Sequence, residues 1–189
     1  MIGLIKRNFI HMDKHTFVML YKSLVRTHIE YAVSVWCPYK KGDIEKIQKR
    51  ATKLIISFKK LSYKDRLIKL KLPTLKYRRL RGDMIEVFKI LHNYYDLDVA
   101  PKLVLNNTSF TRGNSLKLLN HTFRYDLRKY SFPARIVNVW NSLPNTVVQA
   151  ASIDTFKNRL DRFWENQEFK YDYTADLIGA GSRSEFNMK

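Results

Sequence analysis

Few side chains of this sequence have the type and spacing that metal-dependent chemistry requires. His11 and His15 are four residues apart and could share a helix face, with His28 and Cys37 as further candidate ligands. Position 12 is Met where a zinc-hydrolase helix carries its Glu base, and no third ligand has a recognisable spacing. Cys37 is the only cysteine, so no disulfide within the chain and no thiolate-rich site can form, which favours a reducing compartment. The sequence predicts no metal site and no cofactor.

Nucleophilic and nucleotide-dependent chemistry find no better support. The chain has no Gly-x-Ser-x-Gly turn, and Cys37 lacks the His context of a catalytic thiol. The segment GAGSR at 179–183 resembles a phosphate-binding loop but lacks the Gly-Lys-Ser/Thr ending and a following helix. Two-metal phosphoryl transfer would need at least two carboxylates around a pair of ions about 4 Å apart. We therefore expect no catalytic residue in this chain.

The charge of the chain points instead to binding of a polyanion. Thirty-five Lys and Arg against 17 Asp and Glu give a net charge of +18 and a pI near 10.0. Residues 40–81 hold sixteen basic and three acidic residues, so thirteen of the surplus charges fall in this segment. Such an excess indicates association with nucleic acid or another polyanion. The 45% hydrophobic content favours a folded protein over a disordered basic tail.

Residues 39–60 predict a helix that would position many of these charges. Its apolar face is predicted to hold Ile44, Ile47, Ala51, Leu54 and Phe58. The opposite face is predicted to hold Lys46, Lys49, Arg50 and Lys53. A solvated helix face normally mixes both signs of charge, whereas the only acids here, Asp43 and Glu45, lie in the first turn.

Three more helices are predicted in the first hundred residues. One occupies 13–36, with Asp13 as N-cap, and its stripe is predicted to hold Phe17, Leu20, Leu24 and His28. A short helix is capped by Ser62 and ends near Pro73. The third begins at Thr74, and its stripe is predicted to hold Leu80, Met84, Val87, Leu91 and Tyr94.

The helix that begins at Thr74 also adds to the positive charge of the segment. Its first turns carry Lys76, Arg78, Arg79 and Arg81. Gly82 inside it should cost about 1 kcal/mol relative to Ala. Either the helix tolerates a weak point there, or the glycine permits close approach of a neighbouring helix or a phosphate.

The pattern changes after residue 97. Residues 115–119 and 122–125 alternate around Asn120-His121 and predict a small hairpin. A helix through 135–140 and another capped by Ser152 follow, and residues after 170 keep no period. The predicted fold is mainly α: a helical bundle over 1–97, then a hairpin and two helices over 98–170, and a disordered tail over 171–189.

The order and spacing of several motifs resemble one protein family. LYKSLVR at 20–26, IEYA at 29–32, SVW at 34–36 and IQKRATKLI at 47–55 are similar to the segment directly after the catalytic palm in reverse transcriptases of non-LTR (LINE-type, jockey-like) retrotransposons. Further similarities to the same proteins' C-terminal region are LPTLKYRRLRGDM at 72–84, TRG at 111–113, SLKL at 115–118, WNSLP at 140–144 and FKNRL at 156–160. The resemblance covers residues 1–166.

The resemblance implies a helical thumb that holds RNA template and growing DNA. Its expected backbone contacts are Lys46, Lys49, Arg50, Lys53, Arg78, Arg79 and Arg81. The expected partners are RNA, DNA or an RNA/DNA hybrid, together with the palm and fingers of a full-length polymerase. Residues 31–34 read YAVS, with Val and Ser where that family's metal-binding acids belong, so the chain alone is predicted to be inactive. Cys37 and Asn114 also depart from the Asn or Ser and the His more usual there.

Two other functional interpretations stay open at this stage. The basic helix could bind an anionic membrane surface or a protein partner through its apolar and cationic faces. Alternatively, the chain is a remnant of a mobile element in which no function survives. No stretch approaches the ~18 apolar residues of a membrane span, and an intracellular location, in nucleus or cytoplasm, is expected. Tyr77, Tyr94, Tyr95 and Trp36 could stack on bases, although their helical spacing favours core positions.

Overall fold

A computed structural model of the chain describes residues 1–31, 41–96, 98–106, 114–121, 124–125, 128 and 130–178. The described part is mainly helical, as the sequence predicts. The α-helices are α1 (Ile2–Asn8), α2 (Lys14–Leu20), α3 (Thr27–Glu30), α4 (Lys41–Thr52), α5 (Tyr63–Leu70), α6 (Leu75–Leu91), α7 (Phe132–Asn141), α8 (Asn145–Val148) and α9 (Ile153–Phe163). A π-helical segment, Tyr21–Arg26, joins α2 to α3, and 3₁₀ turns occupy Ile56–Phe58 and Glu168–Lys170.

The chain divides into two compact units, and the division falls within α6. Unit 1 takes its described residues from 1–31, 41–79 and 168–176. Unit 2 takes its described residues from 80–167 and 177–178. The expected division at residue 97 differs from this one because α6 continues to Leu91 without a break and contributes residues to both units.

The core of unit 1 is formed by α1 to α5 and the start of α6. The stripe of the first long helical segment consists of Phe17, Tyr21, Val25 and Ile29. The predicted stripe is wrong at two positions, since Leu24 is 38% exposed and His28 is also exposed, whereas Leu20 is half-buried and packs against the core. Residues four apart stay on one face here because the π-helical turns are wider than α-helical ones. The rings of Phe17 and Tyr21 stack at 5.7 Å.

Helix α4 ends earlier than the sequence pattern predicts, and its buried face is rotated. The helix stops at Thr52, and Phe58 belongs to the separate 3₁₀ turn. The buried face consists of Ile44, Glu45, Gln48, Ala51 and Thr52. Ile47, expected in the core, is 38% exposed. Three of the five buried side chains are polar, so hydrophobic periodicity alone could not locate this face.

Helices α5 and α6 begin and end at well-defined caps. The Ser62 hydroxyl accepts a hydrogen bond from the Asp65 backbone N–H at 3.2 Å, as the sequence predicts, and donates one to the Asp65 carboxylate at 2.6 Å. Lys71 then adopts a left-handed conformation (φ 53°), and the Leu72 N–H bonds to the Leu67 carbonyl at 3.0 Å. This is a Schellman motif without the usual glycine. Asn93 (φ 54°) occupies the equivalent position after α6.

Along α6, the predicted stripe is partly correct. Met84 and Val87 are buried, together with Phe88, whereas Tyr94 lies beyond the helix and is 51% exposed. A side chain at Gly82 would meet no atom within 4 Å. Close approach of another segment therefore does not explain this glycine within the part of the chain that the structure describes.

Unit 2 packs α7, α8 and α9 around aromatic side chains. The rings of Phe88 and Phe156 stack at 4.4 Å, and Trp140 lies 6.0 Å from Phe156. The Ser152 hydroxyl caps α9 by accepting from the Thr155 N–H, as predicted. Asn114 is buried and donates to the carbonyls of Trp140 and Leu143, which fixes Asn114 against the C-terminal end of α7.

The predicted hairpin is not the pairing that the structure shows. Leu118 forms an isolated antiparallel bridge with Leu105, and the residues described include no β-strand. Positions 122–123 of the predicted second strand lie outside the described residues. Leu105 comes from the segment before 107–113, so the partner of Leu118 precedes it instead of following it.

The start of the predicted disordered tail is ordered. Residues 168–176 belong to unit 1, where Phe169 is fully buried and lies 5.3 Å from the Tyr77 ring. The Thr74 hydroxyl donates to the Phe169 carbonyl at 2.7 Å, and the Thr74 N–H donates to Lys170 at 2.9 Å. We call residues 168–176 the C-terminal segment. The predicted disorder beyond 178 concerns positions outside the described residues.

Candidate nucleic-acid interface

Two exposed cations, Lys46 and Arg50, lie on the outer face of α4, and a third, Lys53, directly follows its last residue, Thr52. At 1.5 Å rise per residue, Lys46 and Arg50 are about 6 Å apart along one side of the helix. Lys46 is paired with Asp43, with 2.7 Å between its Nζ and the carboxylate. For Arg50 and Lys53, no ion pair occurs among the described residues. Of the three cations, Arg50 and Lys53 are therefore the most available to an external anion.

Lys49 lies at the edge of this face, is half-buried and contacts other side chains of unit 1. Its ammonium donates to the Tyr173 hydroxyl at 2.7 Å and lies 3.9 Å from the centroid of that ring. The Tyr63 ring is 5.3 Å away. Tyr173 of the C-terminal segment thus binds the ammonium of Lys49, a residue that the sequence places with the exposed cations. The rotated buried face of α4 explains this difference.

The arginines of α6 are also engaged within the protein. Arg78 makes a two-pronged ion pair with Glu30, with Nη2 2.8 Å from Oε2, and Arg26 lies 3.7 Å from the same carboxylate. Arg79 is half-buried. Within unit 2, Arg81 makes a two-pronged pair with Asp161 at 2.6 and 2.8 Å. The structure therefore brings Lys46, Arg50 and Lys53 together at the surface and does not add Arg78 or Arg81 as free cations.

A buried carboxylate, Glu45, links α4 to α5 and α6. Glu45 is 1% exposed and accepts hydrogen bonds from the Tyr63 hydroxyl at 2.6 Å and from the Leu75 N–H at 3.1 Å. Leu75 is the first residue of α6, so the carboxylate lies at the positive end of that helix dipole. Burial nevertheless raises the pKa of Glu45, against the opposing effect of these hydrogen bonds.

Gln48 extends this polar contact between the helices. It accepts from the Tyr21 hydroxyl at 3.0 Å and donates to the Pro73 carbonyl at 3.1 Å. Burial raises the pKa of Tyr21, which keeps its hydroxyl protonated as a donor. Sequence reasoning missed Glu45 and Gln48 as structural residues. The sequence signal that could have indicated them is their spacing of three residues, which places both side chains on one face of a helix.

Further exposed cations surround α5. Between 41 and 81 the described exposed Lys and Arg side chains are Lys46, Arg50, Lys53, Lys59, Lys60, Lys64, Lys69 and Lys71. Asp43 and Asp65 are the exposed acids described in the same segment. Five of the eight cations lie outside the predicted contact set, although the composition of 40–81 already indicated them. The positive surface of unit 1 is thus centred on α4 and α5.

The aromatic candidates for base stacking separate into core and surface residues. Tyr77 is 4% exposed and belongs to the core, whereas Tyr95 is 38% exposed and accepts a hydrogen bond from Lys89 at 3.2 Å. Trp36 lies outside the described residues. Among the residues that are described, no group of three His, Cys, Asp or Glu side chains could hold a metal ion.

Comparisons with protein-family models, with curated proteins and with solved structures give no match to this chain. None of the described helices is long and apolar enough to cross a membrane.

Proposed function

We propose that this chain is a nucleic-acid-binding module, corresponding to the thumb and C-terminal region of a non-LTR retrotransposon reverse transcriptase and inactive on its own. The observation that carries the proposal is the charge of the surface on and around α4 and α5, where eight described cations are exposed but only two described acids are. Contacts from such cations to phosphates give affinity and register without reading sequence. The preferred partner is an RNA/DNA hybrid, RNA or DNA, with the palm and fingers of a polymerase as the protein partner.

The amphipathic-helix alternative would need the apolar face of α4 to be accessible. Ile44 and Ala51 are buried in the core of unit 1, 6% and 1% exposed respectively. An anionic membrane would therefore meet the cationic side of α4 alone. Anionic vesicles serve as a competitor in the experiment below.

The test is a fluorescence-anisotropy titration of the chain with a labelled RNA/DNA hybrid at about 50 and 200 mM salt. Six to ten phosphate contacts would lower affinity roughly 10³- to 10⁵-fold across this range. Absence of binding at low salt by the folded chain would refute the proposal. Vesicles that displace the hybrid more effectively than unlabelled hybrid does would favour the membrane alternative.

The α4 surface is tested by the triple change Lys46→Gln, Arg50→Gln and Lys53→Gln. Lys, Arg and Gln have nearly equal helix propensities, so α4 should keep its stability. We expect weaker binding and a slope of log affinity against log salt that is less steep by about 2 to 3. The matched control is Lys14→Gln, Lys22→Gln and Lys102→Gln, three exposed cations outside this surface. Equal loss in both triple variants would remove α4 from the interface.

A further inference from the structure

Among the described residues, Arg66 on α5 is a buried cation without an acidic partner. The residue is 3% exposed, and its Nε finds no hydrogen-bond partner in the part of the chain that the structure describes. Its one described contact is a cation–π interaction, with the guanidinium carbon 5.7 Å from the Tyr63 ring centroid. None of the ion pairs among the described residues includes Arg66. By contrast, Arg78 in unit 1 and Arg135 in unit 2 each have a carboxylate partner.

The acid next to Arg66 in sequence, Asp65, and the acid bonded to its neighbour Tyr63, Glu45, both have other hydrogen-bond partners. Asp65 precedes Arg66 directly, and consecutive residues on a helix do not face each other. Its carboxylate accepts from the Ser62 hydroxyl as part of the α5 cap. Glu45 holds the other end of the Tyr63 side chain through the phenol hydroxyl. Burial lowers the pKa of Arg66, and Tyr63 acts in the opposite direction.

An unpaired buried guanidinium is unfavourable unless some state of the protein supplies an anion. Burial of a charge without a partner costs several kcal/mol, and arginine meets this cost best by a planar, two-pronged contact with an oxyanion. Phosphate oxygens match the arginine fork as carboxylates do. The terminal nitrogens of Arg66 are not among the fully buried atoms without a partner, and no hydrogen bond of the described residues includes them, so the outer edge of the guanidinium is the part of this side chain that lies nearest to solvent.

The surface beside Arg66 is positive as well. Lys69 follows one turn later on α5 and is exposed, with its ammonium 5.8 Å from the Phe58 ring centroid. Lys59 and Lys60 come directly after Phe58 and are also exposed. Three lysines thus lie on the segments next to this side of α5 and would raise the local concentration of anions.

We propose that Arg66 anchors a phosphate-binding site in unit 1, where the guanidinium turns outward and binds two phosphate oxygens through Nε and one terminal nitrogen. Tyr63 keeps the side chain in place below the phosphate, and Lys69 supplies a second positive charge. The assignment of this phosphate to a nucleic-acid backbone rests on the proposed function. The binding of a phosphate group by Arg66 does not.

The first arm of the test uses inorganic phosphate and thermal unfolding. At a phosphate concentration about ten times the dissociation constant, we expect the Tm to rise by about 3 to 6 °C relative to chloride at equal ionic strength. Arg66→Met should abolish this rise, because it removes the fork and keeps an unbranched apolar stem. Lys22→Met, at an exposed cation of the same unit, should retain it. An equal rise in wild type and Arg66→Met, or no rise in wild type, overturns the proposal.

The second arm measures binding of the labelled RNA/DNA hybrid by the same variants. If the phosphate belongs to a nucleic-acid backbone, Arg66→Met lowers affinity about 10- to 100-fold and reduces the salt slope by about one. A Tm rise without hybrid binding supports the Arg66 site and refutes the proposed function. A Tm rise with unchanged hybrid affinity supports a site for free phosphate.

Arg66→Lys keeps the experiment decisive if Arg66→Met does not fold. Lysine retains the charge but lacks the two-pronged geometry, so the phosphate-dependent Tm rise should shrink by more than half. An undiminished rise in Arg66→Lys would contradict the two-pronged contact.

Discussion

Glu45 is a buried carboxylate of unit 1 whose ionisation affects the stability of the fold. Its carboxylate joins α4 to Tyr63 and to the first turn of α6, and burial raises its pKa above the usual value of 4.5. Between the two pKa values the folded state binds more protons than the unfolded state. The contribution of Glu45 to stability is therefore fully present below about 4.5 and is lost as pH rises through the folded pKa.

Glu45→Gln tests this directly. We expect the free energy of unfolding of wild type, relative to Glu45→Gln, to fall as pH rises above about 4.5. The total fall should be about 1.4 kcal/mol for each unit by which the folded pKa exceeds the unfolded one. Urea unfolding at a series of pH values measures it. Tyr63→Phe removes a donor that lowers the pKa of the carboxylate, so it should enlarge the total fall and extend it to higher pH. A difference independent of pH would contradict the role of burial.

At the scale of elements, the N-caps of α5 and α9 were predictable, whereas the buried face of α4 was not. Ser62 and Ser152 signal their helices because a hydroxyl at the N-cap satisfies a free backbone N–H, a local interaction that the sequence shows. The buried face of α4 depends on Tyr21, Tyr63 and the first residue of α6, which donate hydrogen bonds to Gln48 and Glu45. Polar residues that are buried by partners distant in sequence leave no hydrophobic period. The sequence therefore placed Lys49 on the exposed face of α4, whereas the structure has it half-buried.

Lys71, directly after α5, has a strained backbone conformation that a glycine would adopt without strain. Lys71 has φ 53°, a left-handed conformation that costs a residue with a side chain roughly 1 kcal/mol and costs glycine little. We expect Lys71→Gly to raise the free energy of unfolding by about 0.5 to 1 kcal/mol, measured by urea denaturation. The matched control, Lys69→Gly within the same helix, should lower it by a similar amount. A destabilised Lys71→Gly would show that the lysine makes a compensating contact.

At the scale of the whole molecule, the C-terminal segment completes unit 1. Phe169 is fully buried against Tyr77, and its carbonyl accepts from Thr74 across 95 positions of sequence. Mainly helical content and most helix positions followed from local pattern and composition. The return of the segment to unit 1 did not, because a contact between residues so distant in sequence has no local signature.

Phe169→Ala should separate the two units energetically. Loss of this buried ring should cost about 3 to 5 kcal/mol. We expect hydrogen exchange to show lost protection in α5 and retained protection in α9. The matched variant Phe156→Ala removes a fully buried ring of unit 2 and should give the reverse pattern. Equal loss of protection in both helices for both variants would mean that the chain unfolds as one cooperative unit.

The long return of the C-terminal segment also has a consequence for synthesis on the ribosome. Thr74 emerges 95 residues before Phe169. At about 5 to 20 residues per second, the interval is roughly 5 to 20 s. During that time the apolar surface of Tyr77 lacks its cover, while the helices of unit 2 are being made. Unit 1 is therefore completed only after residues 80–167 of unit 2 have been made, and the nascent chain exposes Tyr77 to chaperones throughout this interval.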